Sequence, residues 1–278
     1  MNVSIVIPTR NRLDWLCALL ISIEQAGGAA HPVETIVADD CSTDATIPMV
    51  PDRFPWVRIV STPRHSGPSV ARNFGARHAR GTLLLFLDAD GEVDKRWLDA
   101  MADADDGKTI LLGNVVDYRS GRVQSVPRRA TFLGKSLRCK PERANTGPSC
   151  NLGIPRAVFE RLGGFDEELT YYFEDSDFCI RANSAGYRFR FMPGARYRHH
   201  GNERKKGDAI RLQERHSTYA MLKHYEDSAS RIVAFTVLNA GWMLVRFAWW
   251  ALRGQRDDAR RLARGWWEGN MRFLGPRI

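Results

Sequence analysis

The chain is poor in cysteine and has no paired cysteine motif. Its 278 residues include five cysteines, an odd number, and no two of them are spaced as C-x-x-C. This composition disfavours zinc sites built from cysteine and disulfide-rich secreted folds. Reduced thiols in a cytosolic protein are the expectation that fits it.

An apolar leader is also lacking. The first apolar run, Val3–Ile7, is followed at once by Pro8. The apolar region of a signal peptide needs about 7–15 residues, so this run is too short to be one. We therefore expect the chain to begin in the cytosol.

Acidic residues are outnumbered by basic ones, 32 Asp and Glu against 41 Lys and Arg, which gives a net charge of +9. This balance suits partners that carry phosphates, such as nucleotides, lipid diphosphates or anionic membranes. An arginine-rich surface without a specific partner explains it equally well. The basic residues are dispersed and are not interleaved with aromatic residues, which disfavours a nucleic-acid-binding module.

Short apolar runs alternate with helical patterns along much of the chain. This alternation predicts βαβ units and a mostly parallel sheet. The predicted strands are residues 3–7, 34–38, 57–60, 82–87, 110–117, 123–126 and 187–192. The predicted helices are residues 14–25, 42–50, 69–79, 97–104 and 178–185. The basic segment 131–145 is predicted to be a loop.

Polar residues stand just after several predicted strands, at the ends where open parallel sheets bind ligands. Those expected to converge on one edge are Thr9, Asp39, Asp40, Asp88 and Asp90. Asp88 and Asp90 follow the most apolar strand, where two carboxylates cost desolvation free energy unless a cation joins them. Mg²⁺ or Mn²⁺, with diphosphate oxygens completing its shell, meets that need. A solvated acidic turn that caps the next helix is the alternative.

Several sequence blocks resemble the family-2 glycosyltransferases, which have the GT-A fold. In family order, they are VSIVIPTRNR (3–12), IVADDCSTDAT (36–46), GPSVARNFG (67–75), FLDADG (86–91), GGFDE (163–167) and EDSDFCIR (174–181). Cys41 stands where the family usually has glycine. The resemblance covers residue 3 to about residue 200. It implies an α/β fold whose Rossmann-like, mostly parallel sheet carries helices on both faces.

The same resemblance implies roles for individual residues. The residues expected to bind the donor nucleotide are Pro8, Thr9, Arg10, Asp39, Asp40, Arg72, Asp88 and Ala89. The metal is expected at Asp90 and Asp88, together with His199 or His200. Asp175 matches the general base that deprotonates the acceptor hydroxyl, and the residues expected to face the acceptor are Asn151, Glu174 and Tyr172. His65 and His78 are expected to be surface residues.

The implied function is inverting, Mg²⁺- or Mn²⁺-assisted sugar transfer. The donor would be a UDP-, GDP- or dTDP-sugar, and the acceptor a hydroxyl of a glycan or lipid-linked molecule, as in polysaccharide biosynthesis. One alternative is a nucleotidyltransferase acting on sugar phosphates, but the glycine-rich phosphate loop of that class is missing beside Arg10 and Arg12. The other is an inactive basic protein that binds nucleotides or polyanions.

The C-terminal segment differs in character from the rest. Residues 232–252 are apolar and rich in tryptophan, and their length is near the roughly 20 residues that span a bilayer. Asn239 and Arg246 interrupt them, and a mid-span arginine costs about 2.5–3.5 kcal/mol on insertion scales. An ordinary core helix or a homodimer interface is the alternative. We expect a GT-A domain over 1–225 and an amphipathic helical tail over 226–278, peripheral at the inner face of a membrane.

Overall fold

The computed structural model describes residues 3–28, 33–123, 127–200 and 206–275. The strands in these ranges are β1 (Val3–Thr9), β2 (Val33–Asp39), β3 (Val57–Ser61), β4 (Leu83–Leu87), β5 (Gly91–Val93), β6 (Thr109–Asp117), β7 (Arg128–Ala130), β8 (Ser136–Arg138), β9 (Asn151–Pro155) and β10 (Arg188–His199). The α-helices are α1 (Leu13–Ile23), α2 (Thr46–Arg53), α3 (Pro68–His78), α4 (Trp97–Ala102), α5 (Arg156–Arg161), α6 (Glu174–Ser184), α7 (Lys206–His224), α8 (Ala229–Leu252) and α9 (Arg256–Leu274).

An eight-stranded sheet organises the chain, in the order β3-β2-β1-β4-β9-β6-β10-β5. Strands β3, β2, β1 and β4 pair in parallel with one another in that order, and β6 pairs in parallel with β10. Strand β9 is antiparallel to both β4 and β6, and β5 is antiparallel to β10. Strands β7 and β8 form a separate hairpin. The prediction of a mostly parallel sheet is confirmed.

The sheet is buried on both faces because its central strands are continuously apolar. Ile5 and Ile7 of β1 belong to one apolar core together with Trp97 of α4, whereas Val6 belongs to another with Phe178 of α6. Successive side chains of a strand point to opposite faces, so the two cores lie on opposite sides of the sheet. Helices therefore cover both faces, as the sequence predicts.

Three local features differ from what the sequence predicts, and one prediction lies mostly outside the described residues. The antiparallel strand β9 was not predicted, and the segment predicted as a loop over 131–145 instead contains part of the β7–β8 hairpin. Helix α2 begins at Thr46 rather than residue 42, because Asn11 Oδ1 accepts hydrogen bonds from the backbone of Thr43 and Asp44 and holds that stretch as a turn. Of the strand predicted over 123–126, residues 124–126 lie outside the described ranges.

The last three helices pack on one another and on the α/β core. Ile180 of α6, Met221 of α7 and Phe235 of α8 share a small apolar core. Helix α9 lies along α7, with its Gly265 and Gly269 against backbone carbonyls of that helix. Helix α8 is also long and apolar enough to cross a membrane, judged by length and composition.

The close approach of α9 to α7 predicts a stability difference between two glycine substitutions. A Cβ at Gly265 would overlap the carbonyl oxygen of Arg211, so Gly265→Ala is expected to lower the free energy of unfolding by about 1–3 kcal/mol. Gly241 of α8 has no atom near its Cβ position, so Gly241→Ala is expected to leave stability unchanged or raise it by up to about 1 kcal/mol. Urea denaturation of both variants measures the difference; equal effects would contradict this packing.

Candidate functional site

A cleft of about 820 Å³ opens where β1, β2 and β4 end. Parallel strands place their carboxyl ends at one edge, which is why residues far apart in sequence meet there. The predicted site residues that line it are Pro8, Thr9, Arg10, Asp40, Arg72, Asp88, Ala89, Asp90, Tyr172, Glu174, Asp175 and His199. Helix α7 forms part of the wall through Ala209, Leu212 and Gln213.

Asp88, Asp90 and His199 form a cluster whose ligand atoms all lie within 4.8 Å of one another. Antiparallel pairing of β10 with β5 sets His199 opposite Gly91, next to the aspartates. A side chain at Gly91 would overlap the ring of Tyr197, whose hydroxyl donates to the backbone oxygen of Asp88 at 2.6 Å. The glycine that follows the two aspartates therefore lets β10 approach them.

Charge balance in the cluster depends on cationic neighbours. Burial opposes ionisation of Asp90, but two cationic neighbours hold the Asp90 pKa below its usual value. His199 Nε2 lies 3.3 Å from Asp90 Oδ1, and Arg12 Nη1 lies 3.1 Å from Asp90 Oδ2. The pKa of His199 is raised: burial lowers it, but Asp90 more than compensates. The site thus retains a carboxylate and attracts cations.

His200 does not join this cluster, which corrects its prediction as an alternative metal ligand. Its ring lies against those of Trp15 and Tyr118, with centroids 4.2 and 3.7 Å away. Its Nε2 is 3.2 Å from Glu92 Oε1. Adjacent residues of a strand point to opposite sides, so only one of the two histidines reaches the aspartates.

Arg72 joins the two acidic halves of the cleft. Its guanidinium is buried and donates to Asp88 Oδ1 at 2.6 Å and to Glu174 Oε1 at 3.0 Å. Burial alone would lower the Arg72 pKa, but Asp88 and Glu174 raise it above its usual value. A permanent cation therefore ties the end of β4 to the start of α6.

Helix α6 begins with the acidic residues that the sequence singled out. Burial, followed by the charge of Asp175, raises the pKa of Glu174 to about 7, and the attraction of Arg72 only partly opposes this. Burial also raises the pKa of Asp175, whose Oδ1 accepts a hydrogen bond from the Ser176 backbone N–H at 2.6 Å. Asp177 pairs with Arg181 at 2.8 Å across one turn of this helix.

The turn that leads into α6 is strained. Tyr172 and Phe173 both have left-handed backbone angles, with φ of 65° and 73°. Such angles cost of order 1 kcal/mol or more per non-glycine residue, so the surroundings must hold them. Buried His216 of α7 does so by donating from Nδ1 to the Tyr171 carbonyl at 2.5 Å. No local sequence pattern indicated this role of His216.

The other end of the cleft is built around Asp40. Its carboxylate accepts hydrogen bonds from His65 Nδ1 at 2.7 Å and from the backbone N–H groups of Ser66 and Gly67. His65 Nε2 in turn lies 3.0 Å from Arg10 Nη1. Asp40 thus positions the loop that carries His65, and His65 itself is exposed, as predicted.

Two buried atoms near this end have no hydrogen-bond partner among the described residues. They are Thr9 Oγ1 and Asp39 Oδ1. Unpaired polar atoms are rare in protein interiors and need an explanation, such as a ligand. Thr9 lines the cleft, which fits its predicted place in a donor site.

Asn151 is not an acceptor-facing residue, which corrects its prediction. It is fully buried in β9, where its Oδ1 accepts from Trp97 Nε1 at 2.8 Å and its Nδ2 donates to the carbonyls of Asn114 and Ala195. Its amide therefore joins three elements of the sheet core.

Comparison with known proteins gives this arrangement a family. Residues 4–163 match the model of glycosyl transferase family 2. The chain belongs to this family. Membership favours the glycosyltransferase interpretation over the nucleotidyltransferase alternative.

Relatives in glycosyl transferase family 2 include biosynthetic proteins of bacteria. The chain is 30% identical to the succinoglycan biosynthesis protein ExoO of Rhizobium meliloti over 76% of its length and 64% of that protein. It is 27% identical to the pre-mycofactocin glycosyltransferase of Mycobacterium tuberculosis over 71% of its length and 42% of that protein. It matches 18% of the length of the O-antigen biosynthesis protein RfbC of Myxococcus xanthus. The chain thus spans less than two thirds of each.

Solved structures share the fold of this family 2 chain. GalNAc-T7 with UDP, GalNAc and Mn²⁺ has a TM-score of 0.66 and 18% identity, over 79% of this chain and 47% of that one. TarS 1-349 of S. aureus with UDP-GlcNAc has a TM-score of 0.61 and 19% identity, over 97% of this chain and 92% of that one. The mannosyltransferase PcManGT of Pyrobaculum calidifontis with GDP-Man and Mn²⁺ has a TM-score of 0.59 and 18% identity, over 98% of this chain and 86% of that one. These likenesses establish the GT-A fold.

The raised pKa of Glu174 predicts a pH-dependent effect of Glu174→Gln. A folded-state pKa near 7, above the usual 4.5, contributes stability that is complete below pH 4.5 and is lost as pH rises through about 7. The unfolding free energy of the variant should therefore rise relative to the wild type between these pH values and level off above them. For comparison, Asp106→Asn removes a carboxyl whose pKa is lowered to about 2, so its effect should be constant across that window. Urea titrations at several pH values measure both, and a flat difference for Glu174→Gln would contradict the assignment.

Proposed function

We propose that the protein transfers a sugar from a nucleoside-diphosphate sugar to a hydroxyl of a glycan or lipid-linked acceptor, with inversion at the anomeric carbon and with Mg²⁺ or Mn²⁺. The observation that carries the proposal is that one cleft contains two clusters of carboxylate-bearing residues. Asp88, Asp90 and His199 form one group, Glu174 and Asp175 the other, and Arg72 links them.

The first group fits a hard divalent cation. Two carboxylates and one imidazole offer oxygen and nitrogen ligands within 4.8 Å of one another, a set that suits Mn²⁺ and Mg²⁺ better than a soft metal. Asp88, Asp90 and His199 would hold the ion, which when bound neutralises charge that grows on the leaving diphosphate. Arg12, already beside Asp90, adds positive charge at the same place.

Asp175 would act as the base. A sugar hydroxyl is a weak nucleophile, so a carboxylate must take its proton as the new bond forms. The acceptor oxygen bonds to the anomeric carbon, the bond from that carbon to the β-phosphate oxygen breaks, and the proton goes to Asp175. Burial raises the Asp175 pKa and makes the carboxylate a stronger base than an exposed aspartate.

The donor is assigned only as a class. Structural neighbours were solved with UDP, UDP-GlcNAc and GDP-Man. A thermal-shift panel of UDP-, GDP-, dTDP- and CMP-sugars, with and without Mn²⁺, tests the proposal directly, because a ligand at 100 times its dissociation constant adds about 2.7 kcal/mol. A metal-dependent shift with one base supports it; no shift with any donor contradicts it.

Removing the base should separate turnover from binding. Asp175→Asn is expected to lower kcat by about 100-fold or more, since proton transfer contributes roughly 10²–10⁴, while the donor dissociation constant stays within a few-fold. Asp177→Asn on the same helix breaks the pair with Arg181 and should lower stability rather than kcat. Steady-state kinetics and calorimetry measure both. Near-normal turnover in Asp175→Asn, or NMR detection of a product with retained configuration, would refute the mechanism.

The neighbouring histidines provide a test of the metal assignment. His199→Gln removes one of three candidate ligands and is expected to weaken Mn²⁺ binding by about tenfold or more. His200→Gln alters the stack with Trp15 and Tyr118 and should change Mn²⁺ affinity much less. Calorimetric titration of Mn²⁺ in the presence of UDP compares the two. A larger effect at His200 would place the ion elsewhere.

A further inference from the structure

Helix α8 presents a long apolar face that nothing in the described chain covers. Only 11% of its most apolar stretch is buried. The exposed large side chains of this outward face are Val233, Val237, Leu238, Trp242, Leu244, Val245, Phe247, Trp249 and Leu252. Contiguous apolar surfaces of this kind mark sites that bind a protein or a membrane.

The polar interruptions of α8 point the other way, toward the protein. Arg246 Nη1 donates to Glu214 Oε2 of α7 at 2.6 Å, and Asn239 Nδ2 donates to Thr218 Oγ1 at 3.2 Å. Glu214 is 2% exposed, and Lys135 of the β7–β8 hairpin lies 3.7 Å from the same carboxylate. Pulling α8 away from α7 would leave the buried Glu214 charge without its closest partner. These two bonds hold α8 against α7 of the folded domain.

The segment that carries the apolar face is basic, although Arg246 itself points toward α7. Residues 229–275 contain eight arginines and three acidic residues. The Arg253 guanidinium lies 3.9 Å from the ring centroid of Trp249, beside the exposed Leu252. Tryptophan and arginine together suit the boundary between lipid headgroups and acyl chains. The excess positive charge favours anionic lipid over a second copy of this equally basic segment.

We propose that the outward face of α8 binds the surface of an anionic bilayer and that α8 lies in the plane of the interface instead of crossing it. Length and composition alone permit a span, but a span needs α8 to leave α7 and carry Arg246 into hydrocarbon. In the plane, Arg246 and Asn239 keep their partners while the apolar side chains leave water.

This orientation brings the cleft close to the lipid. Helix α7 separates them: Ala209, Leu212 and Gln213 line the cleft, and Glu214 and Thr218 bond to α8. A helix with its side chains is about 10–12 Å across. If the proposed function holds, the acceptor hydroxyl of a lipid-linked molecule can enter the cleft while its lipid stays in the bilayer.

Flotation of the full chain with vesicles tests binding independently of sugar transfer. The protein is expected to float with phosphatidylcholine vesicles that contain phosphatidylglycerol, and at least tenfold less with pure phosphatidylcholine. The double variant Val237→Glu, Leu244→Glu should lose at least tenfold in binding. A matched control, Ile47→Glu with Met49→Glu, changes exposed apolar residues of α2 and should float like the wild type. Circular dichroism melting verifies that each variant is folded.

Protease added outside the vesicles distinguishes the two orientations. In the plane, the arginines of α9 stay on the outer side and remain open to trypsin; after a span by α8, they would be protected inside. Failure to float, equal loss in both double variants, or protection of α9 would each overturn the proposal. A dimer would also overturn it if analytical ultracentrifugation detects one and the double variant Val237→Glu, Leu244→Glu dissociates it. The outward face of α8 would then be an interface between two copies of the chain.

Discussion

A single buried guanidinium determines the layout of the cleft. Arg72 lies between the carboxylate at the end of β4 and the carboxylate at the start of α6. Without a cation there, the ionised carboxylates of Asp88 and Glu174 would repel each other across a poorly solvated space. Arginine keeps its charge at any pH the protein meets, so the Arg72–Asp88 pair persists, whereas the pair with Glu174 weakens as that carboxyl takes up a proton near pH 7. Arg72 therefore links the candidate metal ligand Asp88 to the start of the helix that carries the candidate base.

Local patterns predicted the parts of the fold that depend on chain order. Strands β1 and β4 are apolar throughout and alternate with helical segments, so their parallel pairing and the meeting of Thr9 and Asp88 at one edge followed. Strand β9 was missed because Asn151, Gly153 and Pro155 are residues typical of turns. It is a strand only because β4 and β6 lie on either side of it, which no local pattern records.

The direction in which individual side chains point could not be predicted from the sequence either. The sequence identified His199 and His200 together, but the choice between them depends on the register of β10 against β5, set by distant contacts. Asn151 has the chemistry of a ligand-binding amide, yet its hydrogen bonds come from three other segments of the core. His65 is a surface residue, as predicted, but its hydrogen bond to Asp40 was not predicted because the two residues are far apart along the chain. In each case the missing information was tertiary.

The left-handed pair at Tyr172 and Phe173 depends on a chain of supports that reaches the C-terminus. His216 holds the turn from α7, and α9 packs so closely on α7 that only glycine fits at two positions. Helix α9 thus supports, through α7, the turn that leads to Asp175. A shortened chain without α9 would keep every side chain that lines the cleft, but the turn at Tyr172 and Phe173, which precedes the candidate base, would be less well supported. The rate of the proposed sugar transfer would then depend on how often Tyr172 and Phe173 adopt their strained backbone angles.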